Sequence, residues 1–214
     1  IIEVKLHALL SILIAACIIG VISGMDVQTI IDCVNQGIGS TLQSIALLVG
    51  LGSMFGAVLE ISGGAQRIAT TLVRWFGEKK AAWALGITGL IIAMPVFFDA
   101  GLIILIPLAF ALSKSTKRSV LYYAIPLLAG LAVGHAFIPP TPGPILVASL
   151  LELDLSYVIV VGLICGTIAM ILAGPLFGSF VGNKIYVSIP SSVADMPEYE
   201  ESKLPSFWSV VGII

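Results

Sequence analysis

Two short stretches combine helix-breaking residues with an ionisable side chain inside otherwise apolar sequence. One is Pro95-Val96-Phe97-Phe98-Asp99-Ala100-Gly101. The other runs from His135 through Ile138-Pro139-Pro140-Thr141-Pro142-Gly143-Pro144. In lipid, irregular backbone persists only where protein or a watery cavity surrounds it. A carboxylate or imidazole at that depth is costly enough to be read first as functional. A helix break also frees backbone groups, and a half-helix N-terminus carries partial positive charge that suits an anion. Pro142 and Pro144 lack N–H groups, so donors at the second break come from Thr141, Gly143 and residues just beyond. Thr141 adds a hydroxyl, and Gly143 permits close approach of a ligand. Asp99 is a candidate proton carrier, cation ligand or partner of ligand hydroxyls, and burial would favour its protonated form. Its alternative is a hairpin cap accepting backbone N–H bonds. His135 is a candidate for ligand hydrogen bonding or proton relay, against a packing histidine bonded to a carbonyl of the broken helix.

The composition sets the environment for these breaks. Of 214 residues, 58% are apolar and only 10% charged, with a mean hydropathy of +1.13. A soluble domain averages about 25% charged residues, so the chain is expected to be an all-α polytopic membrane protein. The net charge of −2, without a basic stripe interleaved with aromatics, gives no sign of nucleic-acid binding. Cys17, Cys33 and Cys165 have no CxxC spacing and read as small packing residues. With two histidines they do not compose a zinc site, and no cofactor is expected. Neither HExxH nor GxSxG occurs, which disfavours an intramembrane enzyme. Nor do charge rings or repeated carbonyl motifs point to a channel.

The positioning elements follow from the apolar runs. Residues 6–23 are long enough for one span, roughly 27 Å of helix. Residues 27–40 form a weaker amphipathic stretch, and 41–59 a second span whose Gly52-xxx-Gly56 spacing lets helices approach closely. Residues 65–76 read as an amphipathic helix with Ile68, Leu72 and Trp75/Phe76 on one face, suited to an in-plane interfacial position. The segment 81–112 is too short for two full passes, which need about 40 residues, and too long for one. A re-entrant hairpin with its tip near 97–101 fits it better, with two thin passes as the alternative. Residues 119–151 read as a helix broken at 139–144, or as a complete span with the break at its outer end, and 157–180 as a last full span with Gly162-xxx-Gly166 and Gly174-xxx-Gly178. A polar loop at 181–204 precedes the start of a further span from 205. Both ends look cut, so the single membrane domain of residues 1–214 is read as a fragment of something longer.

Charge placement sets an expected orientation. With the N-terminal side in the cytoplasm and 81–112 re-entering from that side, all ten Lys and Arg fall on cytoplasmic segments. That is the arrangement the positive-inside rule requires. The loop 181–204 is then cytoplasmic.

Gly50-Leu51-Gly52-Ser53-Met54-Phe55-Gly56, Glu60-Ile61-Ser62-Gly63-Gly64-Ala65, Phe97-Phe98-Asp99-Ala100-Gly101 and His135 through Pro144 together resemble the gluconate permease (GntP) family. The order of these motifs is matched from about Lys5 to about Gly178. The resemblance implies one unit of an inverted repeat, the N-terminal-side half of a proton-coupled importer of gluconate or a related sugar acid. It places that importer in the bacterial inner membrane. D-serine or another small organic anion is the alternative substrate within the family. The implied partners are a small anionic substrate, the proton, the lipid bilayer and a second copy in a homodimer. The candidate substrate-binding set is Phe98, Asp99, Gly101, His135, Pro140, Thr141 and Gly143, with Asp99 and His135 as proton-coupling residues. Two positions depart from the family pattern. Thr141 stands where His is common, and Ala136 where Gly is common. A threonine is shorter and carries no proton, which bears on the choice of sugar acid.

Overall fold

The computed structural model describes residues 7–190 and 204–212. These residues are helical throughout, with no strand among them. The chain divides into two compact units, residues 1–47 and 48–214, each described by itself.

In the first unit, α1 (Ala8–Ile22) begins at His7, whose Nδ1 accepts from the Leu9 N–H. The chain turns at Gly24, with φ +78°. It re-enters helix where the Asp26 carboxylate accepts the Thr29 N–H. Gly20 lies against Ile30, where a Cβ would come within 2.8 Å of that side chain. The second helix, α2 (Val27–Ile61), supplies residues to both units. The expected division into an amphipathic stretch and a separate span is therefore replaced by one helix. Gly37 and Gly39 do not end it, because glycine costs a helix about 1 kcal/mol without removing a backbone donor.

In the second unit, α3 (Gly64–Phe76), α4 (Ala81–Ile92), α5 (Phe98–Thr116) and α6 (Leu121–Phe137) enclose the main core. Leu85, Leu105, Tyr123, Leu127 and Leu131 are fully buried there. After a break come α7 (Pro142–Leu150) and α8 (Leu155–Ile171). Next are a five-residue π segment, Leu172–Leu176, and α9 (Phe177–Lys184). The π segment contains Pro175, whose missing N–H is accommodated by the wider turn. The last described helix is α10 (Phe207–Val211). Among the described residues three stretches are long and apolar enough to cross a membrane: Phe98–Thr116, Leu121–Leu150 and Leu155–Lys184.

Helix α6 is the axis of this unit, and glycines set how closely its neighbours pack. A Cβ on Gly130 would lie 2.1 Å from the Gly86 carbonyl oxygen, and one on Gly89 would lie 2.6 Å from that of Leu127. Gly134 likewise meets Leu90 and Ala93. The contact positions rise together along both helices, so α4 and α6 run parallel. On the other side Gly162 meets Phe137, Gly166 meets Val133, and Gly178 meets Pro126, so α8 and α9 run antiparallel to α6. We expect Gly130→Ala to destabilise the protein by about 1–3 kcal/mol, the usual cost of overpacking. Gly143→Ala, which faces open space, should leave stability unchanged. Thermal unfolding of the two purified variants checks both.

The segment 81–112 forms a helical hairpin, α4–turn–α5, with its second arm continuing to Thr116. Its turn sits at the level where α6 ends. Ala93 faces Gly134, and the Phe97 ring packs edge-on against His135 at 5.9 Å. Beyond that level α7, joined to α8 by a four-residue linker, continues for about 13 Å at 1.5 Å per residue. Six basic residues of this unit collect at the opposite end. Lys79 and Lys80 precede α4, Lys114, Lys117 and Arg118 lie at the α5–α6 junction, and Lys184 closes α9.

Two expectations need correction. The apolar face of α3 is covered by protein in part, while Trp75 and Phe76 stay exposed. Ala65, Ile68 and Ala69 are buried in the protein core. Arg67 donates to the carbonyl oxygens of Leu204 and Pro205, and Trp75 packs against Phe207 at 5.2 Å. An amphipathic face signals burial without specifying lipid or protein, and here the returning chain and α4–α5 cover part of it. The polar loop also begins later than expected, because helix continues to Lys184 and Val187 then pairs with Val120 and Ser119. The remainder of that loop, 191–203 with its four acidic residues, lies outside the described residues.

Candidate functional site

Three elements meet around a small cleft that opens to the outside. Its walls are Val49, Gly52 and Ser53 of α2, Met94 to Phe97 of the hairpin turn, and Pro140 to Pro142 of the α6–α7 break. Thus the two breaks line one cavity. Glycine spacing on α2 permits this. A Cβ on Gly56 would lie 2.0 Å from the Pro95 carbonyl oxygen, while Gly52 meets the Pro140 ring at an ordinary 3.5 Å. Position 56 therefore accepts no side chain without moving the turn.

Two helices begin at the cleft. Phe97 is the N-cap of α5 and Thr141 the N-cap of α7, and neither side chain bonds its own helix's first turn. The first N–H groups of a helix lack intrahelical partners. The first N–H of α5 to find one is that of Gly101, bonded to the Phe97 carbonyl. At α7 the prolines at 142 and 144 remove two donors and leave Gly143 between them. Gly143 is exposed, with open space where a Cβ would go. The Pro139–Pro140 peptide is cis. The cleft wall carries no charged side chain, so its polar character comes from hydroxyls, carbonyls and these two helix starts.

The sequence-derived candidates divide by position. Pro140 and Thr141 line the cleft. Thr141 is buried, and its hydroxyl donates to the Ile138 carbonyl at 2.8 Å. His135 stands behind the wall against Phe97, and its Nδ1 is buried without a hydrogen-bond partner. Gly143 follows Thr141 on α7, outside the lining. Phe98 and Asp99 open α5 just past the turn. Asp99 is exposed, so the burial expected to favour its protonated form is not provided by the helices described. It occupies the helix's first turn. Gly101 lies elsewhere, packed on Leu131 of α6. Its place is a helix contact, so its absent side chain serves packing between α5 and α6. Sequence reasoning missed Val49, Ser53 and Met94 to Val96. The Gly52-xxx-Gly56 spacing was the available signal for the α2 wall, since it marks the face that others approach.

Comparison with known proteins identifies the family of the chain. The model of the GntP family permeases matches residues 1–214. The Gnt-II system L-idonate transporter of Escherichia coli (strain K12) is 36% identical over 207 residues, covering 97% of this chain and 47% of that protein. A low-affinity gluconate transporter of the same organism is 35% identical over 212 residues, covering 99% and 47%. The gluconate permease of Bacillus subtilis (strain 168) is 42% identical over 190 residues, covering 89% and 42%. The chain spans about half the length of the curated relatives it matches. No solved structure matches it. An all-α chain with three membrane-length apolar helices, matched along its whole length by this family's model, belongs to the GntP permease family and is an integral membrane protein.

Proposed function

We propose that the chain is one half of a secondary transporter that imports gluconate or a closely related sugar acid with protons across the bacterial inner membrane. The observation that carries this reading is the convergence of two helix starts, α5 and α7, on one cleft between the two breaks. Oriented N–H groups and helix dipoles there favour an anion without a fixed cationic side chain. The printed names of the relatives, gluconate and L-idonate transporters, supply the substrate class. The hairpin α4–α5 is re-entrant in this account. Support comes from its turn lying level with the α6 break while α7 continues beyond. The basic end faces the cytoplasm by the positive-inside rule, and Lys5 puts the N-terminal side of the chain there by the same rule. Phe98, Asp99, His135, Pro140, Thr141 and Gly143 form this half's share of the site, with Asp99 and His135 handling the coupled proton. Gly101 joins them only through the packing of α5. The missing half supplies the rest, and two copies form a homodimer.

Uptake of labelled gluconate by full-length protein in proteoliposomes, with and without an imposed inward proton gradient, tests the reading. Gradient-stimulated, saturable uptake is expected, and gradient-independent, non-saturable flux would indicate a channel instead. His135→Ala should lower the initial rate about tenfold while leaving insertion unchanged. A buried imidazole nitrogen without a protein partner is held for a ligand or a proton. Wild-type rates in that variant would remove His135 from the mechanism.

A further inference from the structure

We infer that the cleft between α2, the hairpin turn and the α6–α7 break is the subsite for the substrate's hydroxyl groups, and that Ser53 and Thr141 read them as hydrogen-bond acceptors. This rests on the sugar-acid reading given above. Ser53 and Thr141 supply the side-chain hydroxyls of the cleft wall. A hydroxyl has one hydrogen to donate and two lone pairs to accept with. Both hydrogens are already committed. Ser53 donates to the Val49 carbonyl one turn back along α2, and Thr141 donates to the Ile138 carbonyl. What each oxygen still offers is a lone pair. At the turn, Met94 and Val96 commit their N–H groups to the Ile91 and Ile92 carbonyls. A carboxylate only accepts hydrogen bonds, so facing these oxygens it would meet acceptors. A polyol donates and fits them. The carboxylate is placed at the edge of the same cleft, against the uncommitted N–H groups where α5 and α7 begin, with the hydroxyls reaching Ser53 and Thr141. The apolar remainder of the wall, with Val49, Met94, Val96 and three prolines, suits the C–H faces of an extended sugar chain.

Ser53 is held for this role by the close seating of α2. Gly56 against Pro95 and Gly52 against Pro140 bring the helix in on both sides of it. Ser53 is therefore a specificity residue absent from the candidates that sequence alone provides. Thr141, where a histidine would offer an N–H, presents an acceptor.

The test is a substrate–protein cycle on the full-length transporter. Inhibition constants for gluconate and its monodeoxy analogues are measured against labelled gluconate uptake, in wild type, Ser53→Ala, Thr141→Val and Thr141→Ser. In wild type at least one analogue should inhibit about five- to tenfold more weakly than gluconate, the scale of one hydrogen bond. In Ser53→Ala or Thr141→Val that analogue and gluconate should come within about twofold of each other, while Thr141→Ser keeps the wild-type preference. Gluconate uptake whose deoxy preference is unchanged in both Ser53→Ala and Thr141→Val overturns this inference alone. Absence of gluconate uptake in correctly inserted wild type overturns the transport reading, and this inference with it.

Discussion

Full-length Asp99→Asn is expected to fold and insert normally, yet to lose the ability to concentrate substrate against a gradient. One pH unit is worth about 1.36 kcal/mol per proton, so a single coupled proton drives about tenfold accumulation in the wild type. A carrier that has lost its proton site can only equilibrate, and its inside-to-outside ratio should fall to about one. The argument starts from position. Asp99 is the acidic residue in the first turn of α5, immediately after the turn that walls the cleft. Asparagine preserves its size and its capacity to accept backbone N–H bonds but not its titration. A merely structural cap would therefore survive the change. Accumulation at the wild-type ratio in Asp99→Asn would show that the carboxylate is a cap after all.

The second large effect is expected at Gly56. Any Cβ there would fall 2.0 Å from the Pro95 carbonyl oxygen, with backbone on both sides of the contact. Neither partner can rotate out of the way, so α2 and the hairpin turn must separate. We expect Gly56→Leu to cost about 1–3 kcal/mol or more in stability, as overpacking does, and to lower uptake by at least about tenfold by parting the cleft walls. Gly52→Ala, whose Cβ would meet the Pro140 ring at an ordinary 3.5 Å, is the tolerated comparison. Unfolding temperature and initial uptake rate, measured on both, separate the close approach from a general intolerance of substitution on α2. A Gly56→Leu protein with wild-type stability and uptake would mean that α2 does not seat against the turn.

How far these features could be read from the chain depends on whether their cause is local. Pro95 and the Pro139–Pro144 run break helices wherever they stand, so the hairpin and the interrupted helix were legible from sequence. The Gly162 and Gly174 spacings marked α8 and the π segment as surfaces of close approach, and both do meet α6. Other features are tertiary. Gly86 and Gly89 mean little until α4 is laid parallel to α6, where Gly130 meets the Gly86 carbonyl. Ser53 is one of several polar residues on α2, and nothing in α2 alone says which of its faces fronts a cavity. The amphipathic pattern of α3 was readable, but the pattern is the same whether protein or lipid covers Ile68 and Ala69. Asp99 stands between two phenylalanines and a glycine in sequence, where burial is expected, whereas the first turn of α5 carries it outward. The continuity of α2 was obscured by its polar residues at 28–36, which interrupt hydropathy but not the backbone ladder.

The central claim, that substrate occupies the cleft between the two breaks, is tested most directly by site-specific protection. In full-length protein lacking Cys17, Cys33 and Cys165, a cysteine is introduced by Val49→Cys on the cleft wall or by Ser156→Cys at the exposed start of α8. Maleimide modification is followed with and without saturating gluconate. The account predicts that gluconate slows modification at position 49 and leaves position 156 unaffected. Equal modification rates at position 49 with and without gluconate, in protein that takes gluconate up, would contradict it.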